Sequence, residues 1–405
     1  FRDVEMPLVE VLADMETAGV KLDLDLLKQG AERIEEELAS LVRKAYALAG
    51  EEFNINSPKQ IQDILYVKLS LPAGKKIKTG RSTDEEALKK LSKLHELPGK
   101  ILEYRRLSKL KTGYYDSILT FTDTKDAMLH AKFNQAVTST GRLSSSEPNL
   151  QNIPVKTEVG REIRRAFKPR KIENVLVAAD YSQVELRVLA HLSADPMLAG
   201  AFKEELDVHV FTASLIYGCD MEKVTYEMRS AAKTVNFGII YGMGAFGLAG
   251  ALGIPVKEAE DFISAYFSRY SGINDFISKT IDRTRKDGYV TTLFGRRRYL
   301  PGITSLNDKV RSFAERAAVN TAVQGTAADI IKMAMIKCRE KFMGTGTTMI
   351  IQVHDELVFD TPKKTYKEDA SDIRKIMEEV VSLKVPLRVN VESGPNWRDM
   401  EPVEC

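Results

Sequence analysis

The sequence predicts an α+β fold in which long helical stretches stand apart from a small antiparallel sheet. Three observations predict it. Residues 26–120 and 186–340 carry their apolar residues mostly at helical spacing. Val175–Ala179 is a short apolar run, suited to a buried strand that ends at Asp180. Thr347–Thr361 reads as two apolar strands around a polar tip, His354-Asp355-Glu356. At 405 residues the chain is long enough for two or three structural units. Its 43% hydrophobic and 29% charged residues exclude a disordered or fibrous chain.

The elements run in order from the N-terminus. Gly19 closes a helix-like opening segment. Leu26–Leu48 is an amphipathic helix stopped by Gly50. Ser57-Pro58 opens another, with Ser at the cap and Pro in the first turn. Lys75–Arg81 is a basic, glycine-bearing loop, and Thr83-Asp84-Glu85-Glu86 reads as a capping box for the next helix. Lys100–Leu119 is helical and carries Arg105, Arg106, Lys109 and Lys111, charges that by themselves describe a solvated face. Thr138–Pro154 is a polar loop. After the strand at 174–179, Ser182-Gln-Val-Glu185 reads as a second capping box. A helix over 367–383 and a strand over 386–391 complete the pattern.

Lys+Arg 59 against Asp+Glu 57 gives a net charge of +2, which is compatible with a local basic groove for nucleic acid. Three dispersed cysteines exclude a disulfide framework and a cysteine zinc site. The N-terminus lacks the apolar stretch of a secretory signal. It starts with Phe, which is compatible with a fragment of a longer chain. The uncharged stretch Thr234–Pro255 contains six glycines and a proline, so it reads as buried or site-lining rather than membrane-spanning.

Two constellations carry chemistry. Asp180 ends one strand, and Asp355 and Glu356 sit at the hairpin tip. If the strands pair in one sheet, three carboxylates meet at one edge, the hard oxygen donors that Mg²⁺ takes while keeping positions for water and phosphate. Arg229, Lys233, Phe237 and Tyr241 occur at steps of four, each roughly 40° past a full turn, and form one helix stripe. Two cations and then two aromatics suit a triphosphate and a stacked base. Gly242-Met-Gly-Ala-Phe-Gly247 matches a dinucleotide fingerprint in letters only, since helical residues precede it.

These residues resemble the motifs of family A DNA polymerases. Asp180-Tyr-Ser-Gln-Val-Glu-Leu-Arg187 is similar to motif A, Arg229 to Gly242 to motif B, and Gln352-Val-His-Asp-Glu356 to motif C. Thr140-Gly-Arg142-Leu-Ser-Ser with Asn149-Leu-Gln-Asn-Ile-Pro154, and Val323-Gln324-Gly-Thr-Ala-Ala-Asp329, add two more blocks in family order. The resemblance extends over the whole chain and covers the polymerase module of a bacterial-type enzyme.

The resemblance implies a fold and a mechanism. The fold is a right hand, with an antiparallel-sheet palm from residues 1–25, 121–185 and 341–405, a helical thumb at 26–120 and helical fingers at 186–340. A primer 3′-hydroxyl attacks the α-phosphate of a dNTP, and pyrophosphate leaves. By the same resemblance, Asp180 and Asp355 hold two Mg²⁺, for which Mn²⁺ can substitute, and Glu356 is an auxiliary carboxylate. Arg229 and Lys233 neutralise the triphosphate, Lys233 counting among the catalytic groups. His209 and Gln183 assist on the phosphate side. Tyr241 stacks near the templating position. Glu185 blocks a ribose 2′-hydroxyl, beside its capping role. Phe237 has no hydroxyl to replace a missing sugar 3′-OH, so dideoxynucleotides are disfavoured. Arg142, Asn320, Gln324 and Arg316 face the primer–template minor groove, where purine N3 and pyrimidine O2 accept in every correct pair. His354 contacts DNA as well.

The implied partners are primer–template DNA and dNTPs, with no membrane and a monomeric chain. The place is the cytoplasm with the nucleoid, or an organelle of bacterial descent. No segment resembles a proofreading or 5′ nuclease, so neither activity is expected of these 405 residues. A phage-type RNA polymerase and a non-catalytic duplex-binding subunit are the rival readings. Glu185 and Glu356 argue against the first, and the retained carboxylates and cations against the second.

Overall fold

The computed structural model describes residues 1–72, 76–77, 80–155, 157–240 and 242–404, with no side-chain description for 76, 77, 80 and 240. The basic loop Lys75–Arg81 therefore falls largely outside the described residues, and Tyr241 does so entirely.

A five-stranded antiparallel sheet lies at the centre: β1 (Asn174–Tyr181), β2 (Thr348–Val353), β3 (Glu356–Pro362), β4 (Val389–Gly394) and β5 (Glu401–Pro402), in the order β2-β3-β1-β4-β5. Both faces are covered, which is why β1 and the hairpin are largely apolar on both sides. Val177, Ala179, Tyr181, Leu357 and Phe359 point into one core, and Leu176, Ala178, Val353 and Val358 into a second. A smaller four-stranded sheet, built from Thr122–Asp123, Met128–Leu129, Val20–Leu22 and Phe167–Lys168, adds Val20, Leu22, Leu129 and Phe167 to the second core.

Six helices position the site: α1 (Glu5–Ala18), α2 (Leu24–Ala49), α3 (Val184–Ser193), α4 (Val208–Tyr217), α5 (Tyr226–Ile240) and α6 (Asp308–Phe342). The long amphipathic run forms α2. Asp23 caps it by accepting from Leu26 N at 3.1 Å, and Gly50, at φ 72°, stops it. The base of α2 joins the second core through Leu27, Ile34 and Leu41, while its far end packs with Phe53, Ile61, Leu65, Leu88 and Ile101 in a separate core. The helical insertion thus has its own apolar centre at a distance from the sheet. The helix expected from Lys100 starts at Glu96 and continues to Phe121 through a wider turn at Lys111–Asp116.

Several local expectations shift. The capping oxygen at the helix after residue 83 belongs to Asp84, which accepts from Ala87 N at 2.8 Å, while the Thr83 carbonyl receives Arg105 Nη1 at 2.5 Å. The last central strand runs over Val389–Gly394, three residues later than expected, because Val389 is the residue that pairs with Tyr181. Thr234–Pro255 covers the end of α5, a turn and the short helix Ala245–Leu252. Gly242 therefore comes after a helix, and the dinucleotide-fingerprint context is absent. Among the described residues no helix is long and apolar enough to cross a membrane.

Candidate active site

Strand register brings the acidic residues together. Glu356 is the Cα partner of Asp180 across β3 and β1, and Asn390 is its partner across β4. Asp180, Glu356, Asn390 and Glu392 then share one face of the sheet, since residues two apart on a strand point the same way. They line a cleft of about 700 Å³ with His354, Arg164, Arg161, Trp397 and Arg398. Asp180 is exposed at its strand end, but desolvation by the surrounding cleft walls, with the neighbouring charges of Glu356, Asp355 and Glu392, pushes its carboxyl up to about 7.

The hairpin tip is held by backbone and amide bonds. His354 takes φ +52°, an uncommon conformation for a residue with a side chain. Gln352 Nε2 donates to the His354 carbonyl at 2.6 Å, and Gln151 Nε2 donates to Gln352 Oε1 at 3.0 Å. Tyr181 N donates to the Asp355 carbonyl at 3.2 Å, which ties the tip to the end of β1. These bonds leave the Asp355 carboxylate to the site. Its Oδ1 is buried without a hydrogen-bond partner, and the nearest cation, Arg142 Nη2, lies 3.9 Å away. Burial raises the Asp355 pKa, and Arg142 partly offsets that.

Glu356 is placed differently. Trp397 Nε1 donates to its Oε1 at 3.1 Å, and Arg164 Nη1 is 3.7 Å from Oε2. The Arg164 guanidinium lies 3.9 Å over the Trp397 ring, a cation–π contact that braces the pair. Among the described residues no three His, Cys, Asp or Glu side chains converge closely enough to hold a metal by themselves. The expectation that three carboxylates meet thus narrows to two open ones, Asp180 and Asp355, with Glu356 bound to its own donors. Two carboxylates fit Mg²⁺, which usually takes one or two from protein and completes its shell with water and substrate phosphate. The unpartnered Asp355 oxygen and the raised Asp180 are the features a divalent cation would satisfy.

At Glu185 the capping-box expectation fails. Helix α3 begins at Val184, and the residue at its cap, Gln183, sits at φ 53°, ψ 41° with no side-chain cap bond. The left-handed turn carries Ser182 out of capping position. Its N–H goes to the Arg388 carbonyl at 2.8 Å, and its carbonyl receives Arg187 Nε at 2.9 Å. Arg187 also donates to the Pro386 carbonyl at 2.6 Å and stacks on Phe202, so the turn is fixed from behind. Glu185, 4% exposed, forms an ion pair with Arg142. One arginine therefore faces both Glu185 and Asp355. Gln183 Oε1 is buried without a partner.

A second group of predicted residues lies on α4 and α5. Arg229 is paired with Asp207 at 2.9 Å, and Asp207 also caps α4 through the His209 and Val210 N–H groups. Lys233 is exposed. His209 is 2% exposed, with Nδ1 3.1 Å from Asn236 Nδ2 and its ring 5.8 Å from Phe237. Burial lowers its pKa to about 4, so the ring is neutral near pH 7.

On α6, Arg316, Asn320 and Gln324 occur at steps of four and continue to Ala328 and Lys332. Asn320 Oδ1 is buried without a partner. Ala328 and Lys332 border a small cavity with Arg142, Gln352 and His354. The stripe thus leads to the Arg142 side of the hairpin tip.

The family model of DNA polymerase family A matches residues 24–399. The chain belongs to DNA polymerase family A. It is 48% identical to DNA polymerase I of Geobacillus stearothermophilus over 401 residues, covering 98% of this chain and 46% of that protein. It is 48% identical to the thermostable DNA polymerase I of Thermus aquaticus over 399 residues, covering 98% and 48%. The chain thus spans about half the length of these curated relatives. A solved structure, the POL domain of Pol1 from M. smegmatis in complex with DNA primer-template and dNTP, is 41% identical with a TM-score of 0.91, covering 98% of this chain and 70% of that one. The α+β architecture of the chain is therefore the polymerase fold of this family.

Sequence reasoning passed over Arg164, Trp397, Asp207 and Asn236. The single Trp of the chain was the one available signal among them. The other three become visible only through contacts between residues far apart in sequence.

Proposed function

We propose that the chain is a template-directed DNA polymerase that extends a primer 3′-hydroxyl with dNTPs and releases pyrophosphate, acting in replication or repair synthesis. The observation that carries this reading is the pair of open carboxylates, Asp180 and Asp355, fixed by strand register and turn bonds in a family A polymerase fold. Bound there, two Mg²⁺ would favour the 3′-oxygen nucleophile and offset charge on the leaving pyrophosphate. Trp397 and Arg164 hold Glu356 and keep it an auxiliary group.

The remaining roles fall to side chains from α3 to α6. Lys233 and, after leaving Asp207, Arg229 bind the triphosphate and stabilise charge during transfer. Neutral His209 and Gln183 stand on the same side, and Tyr241 stacks near the templating base. Glu185 forms a wall against a ribose 2′-hydroxyl, backed by Arg142. Phe237 offers no hydroxyl in place of a missing 3′-OH. Arg142, Asn320, Gln324 and Arg316 check pair geometry from the minor groove, and His354 contacts the DNA beside the tip. Residues 1–25, 121–185 and 341–405 make the palm, 26–120 the thumb and 186–340 the fingers. The chain works as a monomer on DNA in the cytoplasm, or in an organelle of bacterial descent.

The test is primer extension on a recessed duplex with Mg²⁺ and four dNTPs, beside Asp180→Ala. Extension by the parent and none by the variant, with duplex binding equal in both, is the expected result. A folded parent that binds duplex and extends nothing would overturn the reading.

A further inference from the structure

A charge cluster lies behind the Arg142 turn. Arg296 donates Nε and Nη2 to Asp329 Oδ1 at 2.8 and 2.6 Å, and Nη2 also pairs with Glu5. Lys332, 1% exposed, gives Nζ to Glu5 at 2.9 Å. Thr292 Oγ1 donates to the other Asp329 oxygen at 2.7 Å, and Gln135 Nε2 donates to Glu5 Oε2 at 2.8 Å. Two cations balance two anions. Such a cluster adds little stability over apolar packing of the same volume, and a defined geometry is the better reason for keeping one. It ties α1, the loop of the Tyr289–Tyr299 hairpin and α6 to one point.

The Thr138–Arg142 turn rests on that point. Gly141 has φ +86°, and a Cβ added there would lie 2.6 Å from Arg296 Nε. Gly325 of α6 meets the turn from the other side, where an added Cβ would lie 3.0 Å from the Thr140 carbonyl oxygen and 2.6 Å from the Thr292 methyl group. Thr138 Oγ1 donates to the Arg142 carbonyl at 2.6 Å and closes the turn. The turn that carries Arg142 is thus bounded at Thr138, Thr140 and Gly141. The group seated against Gly141 is the Arg296 side chain.

We propose that Arg296 is a positioning residue for DNA synthesis: clamped by Glu5 and Asp329, it fixes the Gly141–Arg142 turn and so aims Arg142 at the minor-groove edge of the primer-terminal base pair. This rests on the minor-groove role proposed for Arg142. Arg296→Lys keeps the charge but loses the planar fork that meets both Asp329 and Glu5. Gly141→Ala pushes the same turn off Arg296 while keeping all four charges.

The test compares extension rates from a primer ending in guanine with those from one ending in 3-deazaguanine, which replaces the N3 acceptor by C–H. The parent is expected to be slowed about tenfold or more by the analogue, the worth of a hydrogen bond to a charged donor. Arg142→Ala is expected to be indifferent to it. Arg296→Lys and Gly141→Ala should lose most of the parent's penalty, with both still melting cooperatively. A parent-sized penalty in Arg296→Lys would overturn the proposal whatever its overall rate, because a support that is only structural leaves that ratio alone. Gly141→Ala decides by the same criterion if Arg296→Lys does not fold. Equal penalties in the parent and Arg142→Ala would overturn it by a different route, by removing the minor-groove role itself.

Discussion

At the end of the two central strands, Asp180 faces Glu356 across the pairing, and desolvation with like charge pushes its pKa up to about 7. On α5 the opposite holds: Arg229 is already neutralised by Asp207 at 2.9 Å, and Lys233 stands in solvent. On the anionic side, paired strands hold Asp180 against a like charge, and the Asp355 Oδ1 has no hydrogen-bond partner. The cationic side is satisfied, by an ion pair or by water. Strands in register can hold like charges close together because main-chain bonds carry the cost. A helix face bordered by solvent has no such constraint, and its cations find partners before a substrate arrives. On the proposed function, the carboxylates are suited to a cationic ligand, whereas Arg229 must exchange Asp207 for the triphosphate.

The largest effects belong to the anionic side. Asp355→Ala should lower the extension rate about a thousandfold or more while duplex affinity stays near the parent's, because several kcal/mol of charge stabilisation are lost. Single-turnover extension with a parallel duplex-binding titration measures both. A loss of only a few fold would place the Asp355 carboxylate outside the chemistry.

Glu185 comes next, standing between the two regions. Glu185→Ala should raise ribonucleotide insertion relative to deoxynucleotide about tenfold to a hundredfold, the worth of a contact that excludes one small group. Ser182→Ala should leave helix and selectivity unchanged, since Ser182 caps nothing here. Competing rNTP and dNTP insertion assays read both variants. Phe237→Tyr should increase dideoxynucleotide insertion, checked by terminator incorporation against the matching dNTP.

His209 probes the packing beneath the helix face. Burial lowers its folded pKa to about 4, while the unfolded value stays near 6.5. The unfolded chain therefore binds the extra proton first as pH falls. Stability is retained above about 6.5 and lost progressively down to about 4, by roughly 3 kcal/mol in total. His209→Gln should flatten that part of the profile in denaturant melts at pH 4.5 and 7.5. An unchanged slope would show that other groups dominate acid sensitivity.

The smallest effect tests the exchange of partners. Asp207→Asn keeps a capping oxygen for α4 and removes the charge that holds Arg229. The pair is more than one-third exposed on both sides, so its release is worth less than about 1 kcal/mol. KM for dNTP should fall about twofold to fivefold at low salt, with kcat little changed. A rise in KM would mean that Asp207 orients Arg229 for the triphosphate rather than competing with it.

Local sequence was enough for the strand at 174–179, the hairpin with its acidic tip, the stripe on α5, the cap at Ser57 and the stop at Gly50. Each depends on neighbours in the chain, through apolar periodicity or a side chain reaching an N–H two or three residues on. With the motif resemblance it also named the carboxylates and the cations of the α5 stripe, Arg229 and Lys233. Tertiary structure decided what each group faces. The left-handed Gln183 turned an expected cap into the Glu185–Arg142 ion pair, because the backbone there answers to Arg388 and Arg187. Trp397, more than 200 residues from Arg164, decided that Glu356 is occupied while Asp355 is open. The seat beneath Arg142 joins Glu5 to Lys332 and, through Arg296, to Asp329. No local pattern encodes such contacts: their free energy depends on burial and distance, which exist only once the chain has folded.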